Sequence, residues 1–324
     1  MRGPALGGCR VWHYDDARQA VRDALRLSRA MTFKSAVAGL PLGGGKGVIM
    51  APDPASPVHR GQRAHALHDF GEAVESLGGS YITAEDVGTS ARDMELIASA
   101  TRHVTGLSRK RGGSGDPSPW TALGVQTAIR VSCERVFGSP SLKERTLVLA
   151  GLGHVGRRVA AACAKDGARL LVTDIDASKR DVARELGARW IEPDNALETA
   201  ADVFVPCALG GVLDHDSAAR LGAPIVVGAA NNQLASDDVA DLLAGRGVLW
   251  APDFVVNAGG IINISVELEP DGYDPRRARK LVRGIGDTLR LIYHDAHATH
   301  ATPLAAAMAL ARTRLAEAAA QRTD

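Results

Sequence analysis

Residues 16 to 31, "DARQAVRDALRLSRAM", bring Ala20, Val21, Ala24, Leu25 and Leu27 to one side of a 3.6-residue period, which predicts an amphipathic helix. "SAVAGL" and "GVIM" then read as short strands flanking a glycine-rich loop. Residues 60 to 77 repeat the helical period, and "GGSYITAEDVGTS" reads as a strand followed by a loop. "KRGGSGDPSPW", residues 110 to 120, is dense in Gly, Pro and Ser and predicts a domain boundary, with a helix over 121 to 136 behind it. From Thr146 the texture changes. Short β-branched runs ("TLVLAG", "RLLVTDI", "ADVFVPCA", "PIVVGAAN", "GVLWAPDFVV") alternate with helical or loop segments, the pattern of a parallel sheet with helices on its faces. The Ala-rich "TPLAAAMALARTRLAEAAAQ" predicts a closing helix able to return to the first domain.

A length of 324 residues accommodates two such domains, and 45% hydrophobic with 23% charged residues suits ordinary buried cores. The formal net charge of +1 supplies no global field for nucleic acid or an anionic membrane, so neither is an expected partner. No apolar run is long enough to span a bilayer, and "MRGPALGGCR" lacks the apolar core of a signal peptide. A cytoplasmic location is the expectation. Cys9, Cys133, Cys163 and Cys207 are scattered without a C-x-x-C pair, which predicts buried free thiols rather than zinc ligands or disulfides. His294, His297 and His300 share helical spacing, with the third partly off the face, and are read as a solvated helix end. No metal is expected.

"GLPLGGGKGVIM", residues 39 to 50, sets Lys46 among glycines. A P-loop would need a glycine where Leu40 stands and a hydroxyl where Gly47 stands, so nucleoside triphosphate binding is disfavoured. The remaining readings are a lysine held for chemistry or a tight turn. "TLVLAGLGHVGRRVAAACAKDGARLLVTDID" carries G-x-G-x-x-G as Gly151, Gly153 and Gly156. The pattern alone could mark any β–α turn. Here it follows an apolar strand, opens a helix, and precedes a strand ending at Asp174, near the spacing of about 20 residues expected for a ribose contact. That context predicts a dinucleotide site. Asp174 would repel a 2′-phosphate and no arginine directly follows it, so NAD is expected rather than NADP. Substrate and catalysis then fall to the first half and to a cleft between domains, with Lys34, Lys46 and Asp86 as candidates.

"GPALGG", "MTFKSAVAGLPLGGGKGVI", "YITAEDVGT", "GGSGDPSPWTALGV", "PCALGG", "GAANNQL" and "APDFVVNAGG" together resemble the motifs of the amino-acid dehydrogenases, closest to the leucine and valine branch and spanning essentially the whole chain. The resemblance implies an α/β protein of two domains separated by a cleft. Residues 1–115 would form a mixed-sheet catalytic domain on which a C-terminal helix, 301–324, packs back, and 116–300 a Rossmann-type NAD-binding domain. It implies that Lys34, with the Gly7–Gly8 backbone, holds the substrate α-carboxylate. Lys46 would activate a water as general base, and Asp86 would exchange protons with the amino group. Asn231, Asn232 and Asn257 would orient the nicotinamide ribose and the substrate. Further cofactor contacts would come from His154, Val155, Cys207 and Ala208 beside the three glycines and Asp174.

Leu6, Met31, Ala84, Ile261 and Ile264 match the pocket-lining positions of the branch. Glutamate-specific relatives place a lysine where this chain has Leu6 and a hydroxyl where it has Ile264. A glutamate side chain would therefore bury an unpaired carboxylate, at a cost of several kcal/mol. The expected reaction is NAD-dependent oxidative deamination of leucine, valine or isoleucine to the 2-oxo acid and ammonia, reversible as reductive amination, in a homo-oligomer. The alternatives are a phenylalanine-type dehydrogenase and a catalytically inactive NAD-binding sensor.

Overall fold

A single strand, β1 (Ala5–His13), organises the first of two units in the computed structural model, which describes residues 2–51, 60–208 and 210–321. That unit comprises Met1–Pro117, Ile261–Ala278 and Ala311–Asp324; the second comprises Ser118–Gly260 and Arg279–Leu310. After β1 come α1 (Ala17–Val37), β2 (Gly43–Gly44), β3 (Gly47–Ala51), α2 (Arg60–Ser76), β4 (Tyr81–Glu85) and α3 (Ala91–Ile97). β2 and β3 pair in succession along one edge of β1, and β4 pairs along the other.

Every pairing in this sheet is parallel among the described residues, which corrects the mixed sheet expected from the sequence. The cause is the connections: α1 and then α2 carry the chain back over the sheet, so each strand re-enters in the same direction. Cys9, Leu67, Met94, Ile97 and Val104 form the core between sheet and helices. Asp16 caps α1 by accepting the Gln19 N–H at 2.8 Å. The apolar face expected of α1 is only partly covered: Ala20 is buried, whereas Val21 and Leu25 are exposed. The helix instead buries Ser35, Ala36 and Val37, because its last turns are the ones that meet the glycines of β2.

Glu267 fastens a distant loop of the same unit. Its carboxylate accepts the Gly106 N–H (3.1 Å to each oxygen) and the Ser114 N–H (2.9 Å), pinning the Gly-rich segment that precedes Pro117. The Arg314 guanidinium donates to the carbonyls of Ala36 (3.3 Å) and Val37 (2.5 Å) at the end of α1.

The second unit runs α4 (Ser118–Phe137), β5 (Thr146–Ala150), α5 (Gly156–Lys165), β6 (Arg169–Thr173), α6 (Arg180–Glu185) and β7 (Arg189–Trp190). It continues through β8 (Val203–Pro206), α7 (His215–Arg220), β9 (Ile225–Val226), α8 (Val239–Gly245), β10 (Leu249–Trp250) and α9 (Asp253–Val256). Then come α10 (Gly259–Ser265), α11 (Pro275–Arg283), α12 (Ile285–Ala298) and α13 (Pro303–Ala320); α10, α11 and α13 each run through a boundary between the units, and α12 lies within the second. The sheet order is β10-β9-β8-β5-β6-β7, all parallel, so the order reverses between β5 and β8. Ligands bind at the carboxyl ends of strands at such a reversal. Val148, Phe204, Leu213, Val226, Leu243 and Trp250 pack one core of this unit. "GVLWAPDFVV" is strand only at Leu249–Trp250; its "DFVV" is a helical turn, because Pro252 ends the ladder and Asp253 turns inward to accept the Gln233 N–H.

Candidate active site

The candidate residues fall into two groups, one in each unit. In the first, the register of β1 assembles them. Leu6 pairs with Gly44 and Cys9 with Gly47, which sets Gly45 and Lys46 opposite the Gly7–Gly8 step. On the other edge Gly8 pairs with Ala84 and Cys9 with Glu85, delivering Asp86 just beyond. Lys46 Nζ lies 2.7 Å from Asp86 Oδ2, and the lysine side chain is only 5% exposed. A Cβ on Gly8 would stand 2.6 Å from the Asp86 Cβ, so glycine is what lets the acid come this close to the strand. The rings of Tyr81 and Phe70 fill the space that side chains at positions 45 and 47 would need. The glycines around Lys46 thus serve close packing over the lysine.

Asp86 is held by its own turn. Thr89 Oγ1 receives the Asp86 N–H at 2.9 Å and lies 2.9 Å from the Cys9 carbonyl, tying "DVGT" onto β1. Tyr81 donates its hydroxyl to the Gly7 carbonyl at 2.7 Å. Burial pushes the Lys46 ammonium below the ordinary lysine range, against the pull of Asp86, and the positive charge of Arg10 adds to the fall. The neighbouring Cys9 thiol is pushed up to about 12, first by burial and then by Asp86, which leaves it an inert packing group.

Met31 and Lys34 ride on the part of α1 that meets the lysine loop. A Cβ on Gly44 would run into the Met31–Thr32 backbone, and Ser35 Oγ lies 3.5 Å from the Gly43 carbonyl. Leu6 and Ala84 are buried on the paired strands β1 and β4, and Ile261 and Ile264 are buried on α10 in the same unit.

In the second unit Gly151, Gly153, His154, Val155 and Gly156 form the turn from β5 into α5. A Cβ on Gly156 would overlap the Gly151 carbonyl, so that glycine is required by the turn itself. A Cβ on Gly153 would meet nothing within 4 Å, leaving its backbone open to approach from outside. Asp174, at the end of β6, accepts the Leu152 N–H (2.6 Å) and the Asp176 N–H (2.9 Å), bracing the glycine turn with lone pairs to spare. Cys207 and Ala208 follow β8, and Asn231 and Asn232 follow β9. Asn257 donates from Nδ2 to the Ala229 carbonyl (3.1 Å) and to Asn231 Oδ1 (2.8 Å), while its Oδ1 is buried with no partner among the described residues. A buried acceptor left this way fits a ligand donor such as a carboxamide or a ribose hydroxyl. With the open Gly153 and the start of α5, where Val155 supplies no side-chain cap, these groups fit a nicotinamide dinucleotide.

Three contributors lay outside the sequence reading. Arg10 donates from Nε to Asp86 Oδ2 at 3.0 Å, a contact that depends on strand register and has no local signal. Ile175, directly after Asp174, is 90% exposed, an apolar platform whose position beside the acid was readable. Gln233 is buried and donates to the carbonyls of Gly228 and Ala230 while accepting from Trp250 Nε1, each at 3.0 Å, which braces the loop bearing Asn231.

Comparison with known proteins matches residues 1–103 to the family model described as Glu/Leu/Phe/Val dehydrogenase, dimerisation domain, and residues 171–323 to Glutamate/Leucine/Phenylalanine/Valine dehydrogenase. Residues 125–213 match the NAD binding domain of D-isomer specific 2-hydroxyacid dehydrogenase, which marks a nicotinamide cofactor site. The chain is 42% identical to a leucine dehydrogenase of Thermoactinomyces intermedius over 91% of its own length and 79% of that protein's. It is also 42% identical to a valine dehydrogenase of Streptomyces albus, over 99% and 87%. Among solved structures, the L-tryptophan dehydrogenase of Nostoc punctiforme superposes with a TM-score of 0.85 at 37% identity, covering 98% of this chain and 90% of that one.

Proposed function

The chain belongs to the Glu/Leu/Phe/Val dehydrogenase family, and we propose that it oxidises branched-chain aliphatic L-amino acids with NAD to the 2-oxo acid and ammonia, and runs the reductive amination in reverse. The observation that carries this reading is the buried 2.7 Å pair of Lys46 and Asp86 at the glycine-lined edge of β1. When bound, NAD accepts the hydride that leaves the substrate Cα. Lys34 holds the α-carboxylate beside the Gly7–Gly8 backbone. Asp86 takes a proton from the amino group and returns it to departing ammonia. Lys46, uncharged, removes a proton from the water that attacks the imino carbon, which a lysine does near neutral pH only when its pKa is lowered as here.

Leu6, Ala84, Ile261 and Ile264 are all buried and apolar, and offer no cation to a glutamate side chain. The protein mixed with NAD and, separately, L-valine, L-leucine, L-isoleucine, L-phenylalanine and L-glutamate is expected to reduce NAD with the aliphatic set. Glutamate is expected to fall at least ~100-fold lower in kcat/KM, the effect of about 3 kcal/mol. Folded protein that binds NAD but turns over none of the five would overturn the proposal. A second reading, an aromatic substrate, draws on the likeness to the tryptophan dehydrogenase structure; the Ala84 methyl and the two isoleucines favour the smaller side chains.

NAD is favoured over NADP by two commitments. Asp174 follows β6 with a carboxylate that would repel a 2′-phosphate, and the nearby Arg180 is bonded to Glu192 at 2.7 Å and stacked 5.0 Å from the Trp190 ring centroid. Asp174→Asn keeps an acceptor for the Leu152 N–H and removes the charge. It should lower the NAD-over-NADP ratio of kcat/KM about tenfold, read from initial rates with each cofactor. A homo-oligomer is proposed on the exposed Trp12, Val21 and Leu25 of the first unit, together with the family description of its first domain.

A further inference from the structure

Asp86 Oδ2 is contacted by two cations. Lys46 Nζ approaches at 2.7 Å and Arg10 Nε at 3.0 Å, both on the same oxygen. The far end of Arg10 is tethered as well: Nη1 donates to Asp23 Oδ2 at 3.0 Å. Asp23 in turn accepts from the Tyr14 hydroxyl (2.6 Å) and from Arg26 Nη2 (2.7 Å). Burial opposes the Asp23 charge, yet these bonds hold its carboxyl below the usual range, and the Tyr14 phenol is pushed up to about 12. The guanidinium is therefore a rigid fork between an anchored carboxylate on α1 and the carboxylate that meets the lysine.

We propose that Arg10 is a positioning residue for proton transfer: it fixes Asp86 against Lys46 through one oxygen, leaves the other oxygen to the substrate amino group, and sets a second positive charge beside the base. The proposal rests on the reading of Lys46 and Asp86 given above. Besides Asp86 and Arg10, the groups that act on Lys46 include Cys9 of β1, whose thiol stays neutral. Tyr81 of β4 is bonded to the Gly7 carbonyl, and its phenol is raised by burial beyond the range of activity assays. Arg63 of α2 and Asp93 of α3 form a closed pair at 3.0 Å. Lys34 of α1 is unchanged in every variant below. Arg10 is thus the group whose removal leaves Asp86 wholly to Lys46, and the ammonium form gains.

The test is the pH dependence of kcat/KM for oxidative deamination, whose acidic limb reports the base in the free enzyme. Arg10→Gln should move that limb up by about one pH unit and so lower kcat/KM about tenfold on the limb. Arg10→Lys restores the charge without the fork. It should return the limb towards its original pH while kcat stays several-fold low, a split that loss of packing alone does not produce. An unchanged limb in folded Arg10→Gln, with Lys46→Ala inactive, overturns the role of Arg10 and leaves that of Lys46 intact. Turnover by Lys46→Ala equal to that of the unmutated chain removes both. If circular dichroism shows Arg10→Gln unfolded, Asp23→Asn replaces it: a several-fold fall in kcat from the untethered guanidinium supports the proposal, and unchanged kinetics overturn it.

Discussion

Lys46→Ala is expected to lower kcat for oxidative deamination by about 10²–10⁴-fold, the range for loss of a positioned general base, while NAD binding, followed by NADH fluorescence, stays near that of the unmutated protein. The separation arises because Lys46 sits in the first unit and the glycine turn in the second. Alanine also removes a charge that is 5% exposed and leaves Asp86 with Arg10 as its remaining cation, so the fold keeps a neutralised carboxylate. A variant that binds NAD but has lost turnover would place Lys46 in the chemical step. Equal loss of both would point instead to a damaged fold.

The second large effect concerns the partner acid. Asp86→Asn should cost about 10²–10³-fold in kcat through loss of proton exchange at nitrogen, and it should also displace the pH profile in a direction that can be worked out. Burial lowers the Lys46 pKa and Asp86 opposes that fall. Removing the opposing charge lets the pKa drop further, so the residual activity should begin at lower pH. Arg10→Gln is expected to move the same limb upward. Opposite displacements from Asp86 and from the arginine bonded to its Oδ2 would be difficult to attribute to general loosening, and equal displacements would exclude this electrostatic arrangement.

The nucleotide-binding sheet was legible because β5, β6 and β8 each carry a β-branched or leucine-rich run closed by a turn, and because the glycine pattern falls on the first of those turns. The first sheet was less so. β2 consists of Gly43 and Gly44 alone, and two glycines carry no side-chain alternation to announce a strand or its direction. The parallel arrangement follows from the return of α1 and α2 across the sheet, which a period along the chain does not encode. Lys46 and Asp86 could be singled out as chemical groups from their motifs. Their meeting, and the place of Arg10 between Asp86 and Asp23, depends on β1 pairing on both edges at once. Arg10 and Asp86 are 76 residues apart in the chain, and only register brings them together. The outward-facing Val21 and Leu25 mark a different limit: periodicity finds an apolar face but not whether one chain covers it.

The carboxylate of Glu267, reaching the backbone of Gly106 and Ser114 from more than 150 residues downstream, bears on how this fold can be taken apart. The first unit is no cassette that could be cut at Pro117 and joined to another nucleotide-binding partner. Its Gly-rich loop is completed by a residue encoded beyond the whole dinucleotide sheet, and the end of its first long helix is bonded by Arg314, farther still. Recombination at the apparent boundary would export the loop without its fastening. The second unit is divided as well, since Arg279–Leu310 rejoins Ser118–Gly260 after the intervening Ile261–Ala278, so neither half travels as one uninterrupted segment and their interleaving along the chain is itself part of the architecture.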